Sequence, residues 1–476
     1  MLDLRHYSPP HRRELEELLR SDPWQEMFRS GLVEEVGARR IEPGRRRDFI
    51  GTVVEQLLAF NEQRISQRIA GGDRNADCLL AELSRWRDDL AGGDPKISFL
   101  GLNVTSECNN NPRCVYCNQP WVEPTVGLDG WKRIIAEVTA GADGDGPYVY
   151  ITGGEPLMLR EDLWGPDGLV RFATLRGARV NVNTNAMLLT PQVALRLIQA
   201  GLGNLHISLD SDDKDLQDFL GGGPCYEQVL RGIYNVQLAR DLVGVSYPVI
   251  HTNCVLTNRN LEAVGRLFAF LLDKHKQTAD QDDPFYNDLF PHVIPVGGND
   301  NAGLRPTAEQ FRRFYEEVWS ELCETWDRYQ ERCGLAKEDR KDLTGFFRSP
   351  FLRVQHRGGL EAYVRASAEG RYGKLALVRR CYVAPTQASF TPDGNQHYCG
   401  SHAIRRIGPL GNAAERGVFA NIRAGIAGLE ALPTEDRCYG CALATLYINQ
   451  SVEARLTARL QLLLEEGRRG SAPSAR

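Results

Sequence analysis

Apolar residues in the first ninety-odd positions recur at helical spacing: Leu15, Leu18 and Leu19, then Leu79, Leu83, Trp86 and Leu90. That three-to-four-residue period predicts amphipathic helices. The segment Ala91-Gly92-Gly93-Asp94-Pro95 breaks the pattern and marks a boundary. From Lys96 short apolar runs alternate with amphipathic stretches. The runs predict strands at 97–104, 148–152, 179–184, 204–209, 247–255 and 290–296. Helices are predicted near 129–140, 191–200, 226–240 and 258–273, with a further one near 307–332. Thr190-Pro191 supplies an N-cap and a first-turn proline, and Thr307 with Gln310 fits a capping box. Six strands alternating with helices predict a parallel α/β sheet, with its ligand site at the carboxyl ends of the strands. Past about residue 335 the alternation stops. Residues 336–440 read as loops, Gly-rich turns and a hairpin around Pro392-Asp393-Gly394-Asn395. A last helix is predicted near 444–467, then a frayed tail from Gly470.

Composition narrows the class. The 476 residues are 42% hydrophobic and 25% charged, ordinary values for a globular chain of two or three domains. A formal net charge of -5 argues against a general nucleic-acid binder, which needs a basic face. The Arg45-Arg46-Arg47 run lies in a stretch where acids outnumber bases, and it reads as a solvated face. No apolar stretch is long enough to span a bilayer, and the first residues lack the apolar segment of a secretory signal. The default compartment is therefore the cytoplasm, where twelve cysteines suggest metal ligation rather than disulfides.

Cys108, Cys114 and Cys117 follow the first predicted strand as C-x5-C-x2-C. Three thiolates on one loop can hold three irons of a [4Fe–4S] cube and leave the fourth open to a small molecule. Zinc would want a fourth local Cys or His, and none is nearby. A three-cysteine loop after the first strand, with the aromatic Tyr116 before the last cysteine, resembles the cluster loop of the radical S-adenosylmethionine superfamily. It is two residues longer than the commoner C-x3-C-x2-C, with the same ligand count. Thr152-Gly153-Gly154-Glu155-Pro156, after the second strand, is similar to that family's GGEP segment. The resemblance implies that Gly153, Gly154 and Glu155 meet the methionine amino group of the cofactor. It also implies that Asn183, Asn185, Ser208 and Asp210 reach its ribose and carboxylate, and that Asn253 and Val255 line the adenine pocket. Each of these polar positions also reads as an ordinary strand-end cap. The family's arginine after the fourth strand has no counterpart in DFLGGGPCYEQV, so that carboxylate contact is unassigned.

Cys381, Cys399, Cys438 and Cys441 supply four more thiols, enough to close a second cluster. The first two flank the predicted hairpin and the last two form C-x2-C, which resembles the auxiliary-cluster domain of the SPASM and twitch branches. No cysteine follows Cys441, which favours the shorter, twitch-like form. Four thiols in two pairs also suit a zinc ribbon. The remaining Cys78, Cys225, Cys254, Cys323 and Cys333 read as small buried hydrophobes. Cys225, after a triple glycine, is additionally a candidate hydrogen-atom donor or substrate thiol. His292 is a candidate base or a structural residue.

Taken over residues 97–445, the resemblance implies a (β/α)6 partial TIM-like barrel with two additions. One is a helical N-terminal extension over 1–95; the other is a small α+β twitch/SPASM-like domain over 336–476, after a core at 96–335. It implies S-adenosyl-L-methionine and two [4Fe–4S] clusters as cofactors, with an electron donor such as flavodoxin or ferredoxin. The implied reaction is oxidative modification of a peptide or small-molecule substrate. A non-catalytic iron–sulfur or zinc scaffold is the alternative.

Overall fold

The architecture is that of a computed structural model. It describes residues 49–470 apart from 74, 84–85, 120, 141–145, 275–289, 297–300, 341–342, 344–358, 370–380, 383, 401–407 and 432–443. The helical pattern at Leu15, Leu18 and Leu19, the tail beyond Gly470, and Cys438 and Cys441 lie outside the described residues.

Nine strands form one sheet among the described residues. They are β1 (Phe99–Asn103), β2 (Tyr148–Thr152), β3 (Arg179–Thr184), β4 (Asn204–Ser208), β5 (Val249–Leu256), β6 (Phe290–Pro295), β7 (Gln387–Phe390), β8 (Asn395–His397) and β9 (Gly411–Asn412). Their order is β6-β5-β4-β3-β2-β1-β7-β8-β9. Strands β1 to β6 are parallel, and β7 adds to β1 as a further parallel strand. The turn predicted at Pro392–Asn395 then folds β8 back antiparallel on β7. With helices such as Leu128–Thr139, Pro191–Gln199 and Tyr226–Val243 between the strands, this is the expected partial barrel.

Two-residue alternation sorts the strands' side chains. Leu100, Leu102, Val149, Ile151, Val182, Leu205, Ile207 and Ile250 are fully buried on one face against the helices, each contributing roughly 1.5–3 kcal/mol. The intervening positions on the concave face are polar or aromatic: Asn103, Tyr150, Asn181, Asn183, His206, Ser208, His251, Asn253 and His292.

Local signals act where expected. The Thr190 hydroxyl caps Pro191–Gln199, and Thr307 and Gln310 form the reciprocal capping box. The helix predicted at 307–332 is continuous but contains a π-helical turn at Phe314–Val318. Two helices correct the reading of 336–440 as loops, turns and a hairpin: Gly359–Ala368 and Val418–Ala431. The second buries Val418, Ile422, Ile426 and Leu429 at helical spacing. Glycines obscured that stripe, yet Gly425 is needed there, since a Cβ on it would lie 2.4 Å from Leu410 Cδ2. The terminal helix Ala444–Gly470 buries Val452, Leu456, Leu460 and Leu464. It lies against Phe49–Ala70, so closely that a Cβ on Gly467 would meet Ile69 at 2.6 Å.

Candidate active site

The carboxyl edge of the sheet gathers the segments singled out above. The cysteine loop leaves β1, and the Gly153-Gly154 turn leaves its neighbour β2. Their backbones interlock: Gly154 N donates to Thr105 O at 2.8 Å and Glu155 N to Glu107 O at 2.7 Å. A Cβ at Gly154 would fall 1.9 Å from Glu107 O, and Gly153 adopts φ +142 with its own missing Cβ 2.5 Å from Thr105 O. Glycine is thus required at both positions by contact with the loop that carries Cys108.

Glu155 is fully buried. One carboxylate oxygen accepts from Leu157 N at 3.0 Å and the Thr184 hydroxyl at 2.7 Å, and the other from Asn185 N at 2.8 Å. Burial raises its pKa to about 7 against the opposing pull of those three hydrogen bonds. Asn185 in turn donates to Asn109 Oδ1 at 2.7 Å and has its amide 3.9 Å from Cys108 Sγ. The ends of β2 and β3 and the cysteine loop are therefore one bonded unit.

A second unit joins the loop to β4 and β5. The Tyr116 hydroxyl donates to one oxygen of buried Asp210, whose other oxygen accepts from Val255 N at 2.6 Å. Gln217 accepts from Asp210 N at 2.7 Å, and Asn260 donates to Asp210 O at 3.0 Å. Burial raises the Asp210 pKa to about 6 and the Tyr116 pKa well above its usual range. Asn253 donates to Asn183 Oδ1 at 2.7 Å and is in register with Ser208.

The three thiols are partly buried and in no disulfide. Asn110 Nδ2 lies 3.2 Å from Cys114 Sγ and Cys117 N donates to Cys114 O at 3.0 Å. Burial pushes Cys108 up and Cys114 to about 12. Three thiols on one loop, with amide donors beside two of the sulfurs, are a fitting donor set for a [4Fe–4S] cluster, whose binding releases the protons. The longer Cys108–Cys114 span rests on the triple glycine. A Cβ at Gly222 would meet Arg113 O at 2.3 Å, and Asn110 Nδ2 donates to Gly221 O at 3.2 Å. Gly222, Asn110, Gln217 and Asn260 were not singled out in the sequence; only the glycine run hinted at a close approach.

Other candidates stand apart from this edge. Cys225 is buried behind the Asp210 turn, its Sγ 3.7 Å from Gln217 O. His292 projects from β6 beside His251 in the barrel lumen. In the same lumen burial, with the neighbouring imidazoles, holds the His206 pKa well below its usual range. Cys254 is buried, whereas Cys78 is exposed and corrects the expectation of a small buried hydrophobe, since it sits on a solvent-facing position of helix Ala76–Glu82. Cys381 and Cys399 flank the β7–β8 hairpin, and Cys381 Sγ accepts from Asn449 of the terminal helix at 3.5 Å.

A parallel sheet with a three-cysteine loop after its first strand defines a class, and comparison with known proteins agrees. Residues 102–271 match the Radical SAM superfamily. A match to that superfamily implies S-adenosylmethionine and a [4Fe–4S] cluster. The chain is 31% identical over 181 residues to an AdoMet-dependent heme synthase of Oleidesulfovibrio alaskensis, across 38% of this chain and 43% of that protein. It is 26% identical over 277 residues to the mycofactocin maturase MftC of Mycobacterium tuberculosis, across 58% of this chain and 57% of that one. The chain thus spans about half the length of the curated relatives it matches. The solved structure of anSMEcpe with bound AdoMet aligns with TM-score 0.47 and 15% identity, over 78% of this chain and 99% of that chain. Among the described residues no helix is long and apolar enough to cross a membrane.

Proposed function

We propose that this chain is an enzyme that reductively cleaves S-adenosylmethionine and oxidatively modifies a peptide or natural-product substrate. The observation that carries the reading is the bonded convergence of the cysteine loop, Gly153–Glu155, Asn183–Asn185 and Ser208–Asp210 at one edge of the sheet. When bound, the cluster and cofactor supply one electron and a 5′-deoxyadenosyl radical able to take hydrogen from an unactivated carbon.

Cys108, Cys114 and Cys117 hold three irons. Gly153 and Gly154 let the turn after β2 close against the cysteine loop, and Glu155, fully buried with both oxygens bonded, ties that turn to β3 beside the cofactor's methionine end. Asn183, Asn185 and Ser208 take the polar groups of that cofactor, Asn253 and Val255 border its adenine, and Asp210, buried with both oxygens bonded, acts by positioning Tyr116 and Val255. The Tyr116–Asp210–Val255 chain holds the loop against β4 and β5, which fixes the geometry and excludes water. Cys381, Cys399, Cys438 and Cys441 would hold a second [4Fe–4S] cluster, which would supply an acceptor for the electron left on the substrate and so favour net oxidation. A flavodoxin or ferredoxin in the cytoplasm delivers the reducing electron. The division into 1–95, 96–335 and 336–476 assigns the second cluster to the last part. The name of the relative MftC, a maturase, supports a peptide as substrate.

The test is mass spectrometry of short peptides encoded beside the gene, after incubation with the reconstituted, reduced chain and cofactor. Loss of two hydrogens or a new intramolecular bond supports the reading. Reconstituted protein that binds iron but consumes no cofactor contradicts it.

A further inference from the structure

Three histidines meet in the barrel lumen, away from the cysteine loop: His206 on β4, His251 on β5 and His292 on β6. Register makes them neighbours, since His206 pairs with His251, and Asn253, two residues further along β5, pairs with His292. His251 Nδ1 lies 3.0 Å from His206 Nε2 and 3.3 Å from His292 Nε2, and all three ligand nitrogens fall within 4.8 Å of one another. His251 is fully buried and His206 nearly so.

Hydrogen bonding alone does not account for both contacts well. An imidazole nitrogen carries either one proton or one lone pair in the ring plane, so Nδ1 of His251 makes one linear hydrogen bond and not two. A cation shared by the three nitrogens satisfies both contacts at once. The spacing suits this: tetrahedral coordination at about 2.0–2.1 Å per Zn–N bond puts ligand nitrogens roughly 3.3 Å apart. The surrounding lumen is also built for a polar occupant. Both side-chain polar atoms of fully buried Asn181, with Asn204 Nδ2 and Ser389 Oγ, have no hydrogen-bond partner.

We propose that His206, His251 and His292 form a mononuclear site for a divalent transition-metal ion of the zinc or iron(II) class. Three protein ligands leave a coordination position open to water or to a substrate oxygen, nitrogen or sulfur. His206 and His251 lie two residues below Ser208 and Asn253 on their strands, roughly 7 Å at the rise of a β-strand, and His292 on β6 is paired with Asn253 itself. A substrate held on the ion therefore sits under the carboxyl edge where the cysteine loop converges. The assignment stands on these residues alone and does not depend on the reaction proposed above.

The experiment uses the full chain with its cysteines first filled by iron and sulfide, then dialysed against zinc and washed. Zinc content and zinc-edge X-ray absorption are read together. The expected result is one retained zinc per chain with a nitrogen shell at about 2.0–2.1 Å and no sulfur at about 2.3 Å. His292→Gln, at a partly exposed position, and His251→Gln should each weaken zinc binding at least tenfold. Melting in metal-free buffer identifies a variant that has not folded, and in that event the wild-type shell decides. No retained zinc, a sulfur shell, or equal zinc in both folded variants would overturn the site.

Discussion

Gly154→Ala sets the turn after β2 against the cysteine loop. The added Cβ would lie 1.9 Å from Glu107 O and 2.9 Å from Ser106 O, whereas real Cβ atoms keep at least 3.0 Å, so the loop must retreat by at least about 1 Å. The two hydrogen bonds at this contact, Gly154 N to Thr105 O and Glu155 N to Glu107 O, are the ones that lengthen. Losing them costs about 0.5–1.5 kcal/mol each. Forcing a methyl group into a closed contact adds about 1–3 kcal/mol. The sum, roughly 2–6 kcal/mol, is a large share of the 5–15 kcal/mol typical of a native protein. Glu107 precedes Cys108, so the retreat also moves a cluster ligand. The expected outcome is a lower melting temperature together with less iron after anaerobic reconstitution. Gly127→Ala is the control, because nothing lies within 4 Å of its added Cβ. If Gly154→Ala melts and loads iron like the control, the interlocked contact has been misread.

Glu155→Gln should flatten a pH dependence of stability in the metal-free protein. Burial lifts its pKa from 4.5 to about 7, so the folded state holds the proton more tightly than the unfolded chain. Stability from that group is fully present below the unfolded pKa and is lost as pH rises through about 7. The total is about 3 kcal/mol, visible in urea midpoints between pH 5 and 8. An identical slope in wild type and variant would sink this. Replacing Cys438 and Cys441 should abolish substrate turnover while leaving some uncoupled cofactor cleavage; normal product without the second cluster would refute the electron-acceptor role. Asn183→Ala should weaken cofactor binding with little loss of iron, because its side chain bonds Asn253 and not the cysteine loop. Unchanged affinity in folded, iron-loaded protein would remove Asn183 from the cofactor site.

The six parallel strands were readable because short apolar runs alternate with amphipathic helical stretches along the chain, a pattern that needs no tertiary information. The ends of β1 to β4 were readable for the same reason, since chemistry-bearing residues at strand ends share one edge whatever their separation in sequence. The helix Val418–Ala431 was not, because Gly425, which admits Leu410, and Gly428 look like turn residues. The role of Glu155 as a fully buried tie among β2, β3 and the Pro156 turn was equally hidden. Its partners Thr184 and Asn185 are some thirty residues away. His206 and His251 went unnoticed although His292 was singled out. Single histidines on separate strands meet only once the β4–β5–β6 register is known.

The cofactor-cleaving role proposed for the chain rests on Cys108, Cys114 and Cys117 as cluster ligands. Its most direct test is 5′-deoxyadenosine formed by anaerobically reconstituted, reduced protein given S-adenosylmethionine, beside the variant with all three cysteines replaced by alanine. The expected result is 5′-deoxyadenosine from the wild type and none from the variant, with iron in the variant reduced by about half, because three of the seven proposed ligands are lost with one of two clusters. Equal product from both, or iron unchanged by the triple replacement, would contradict it.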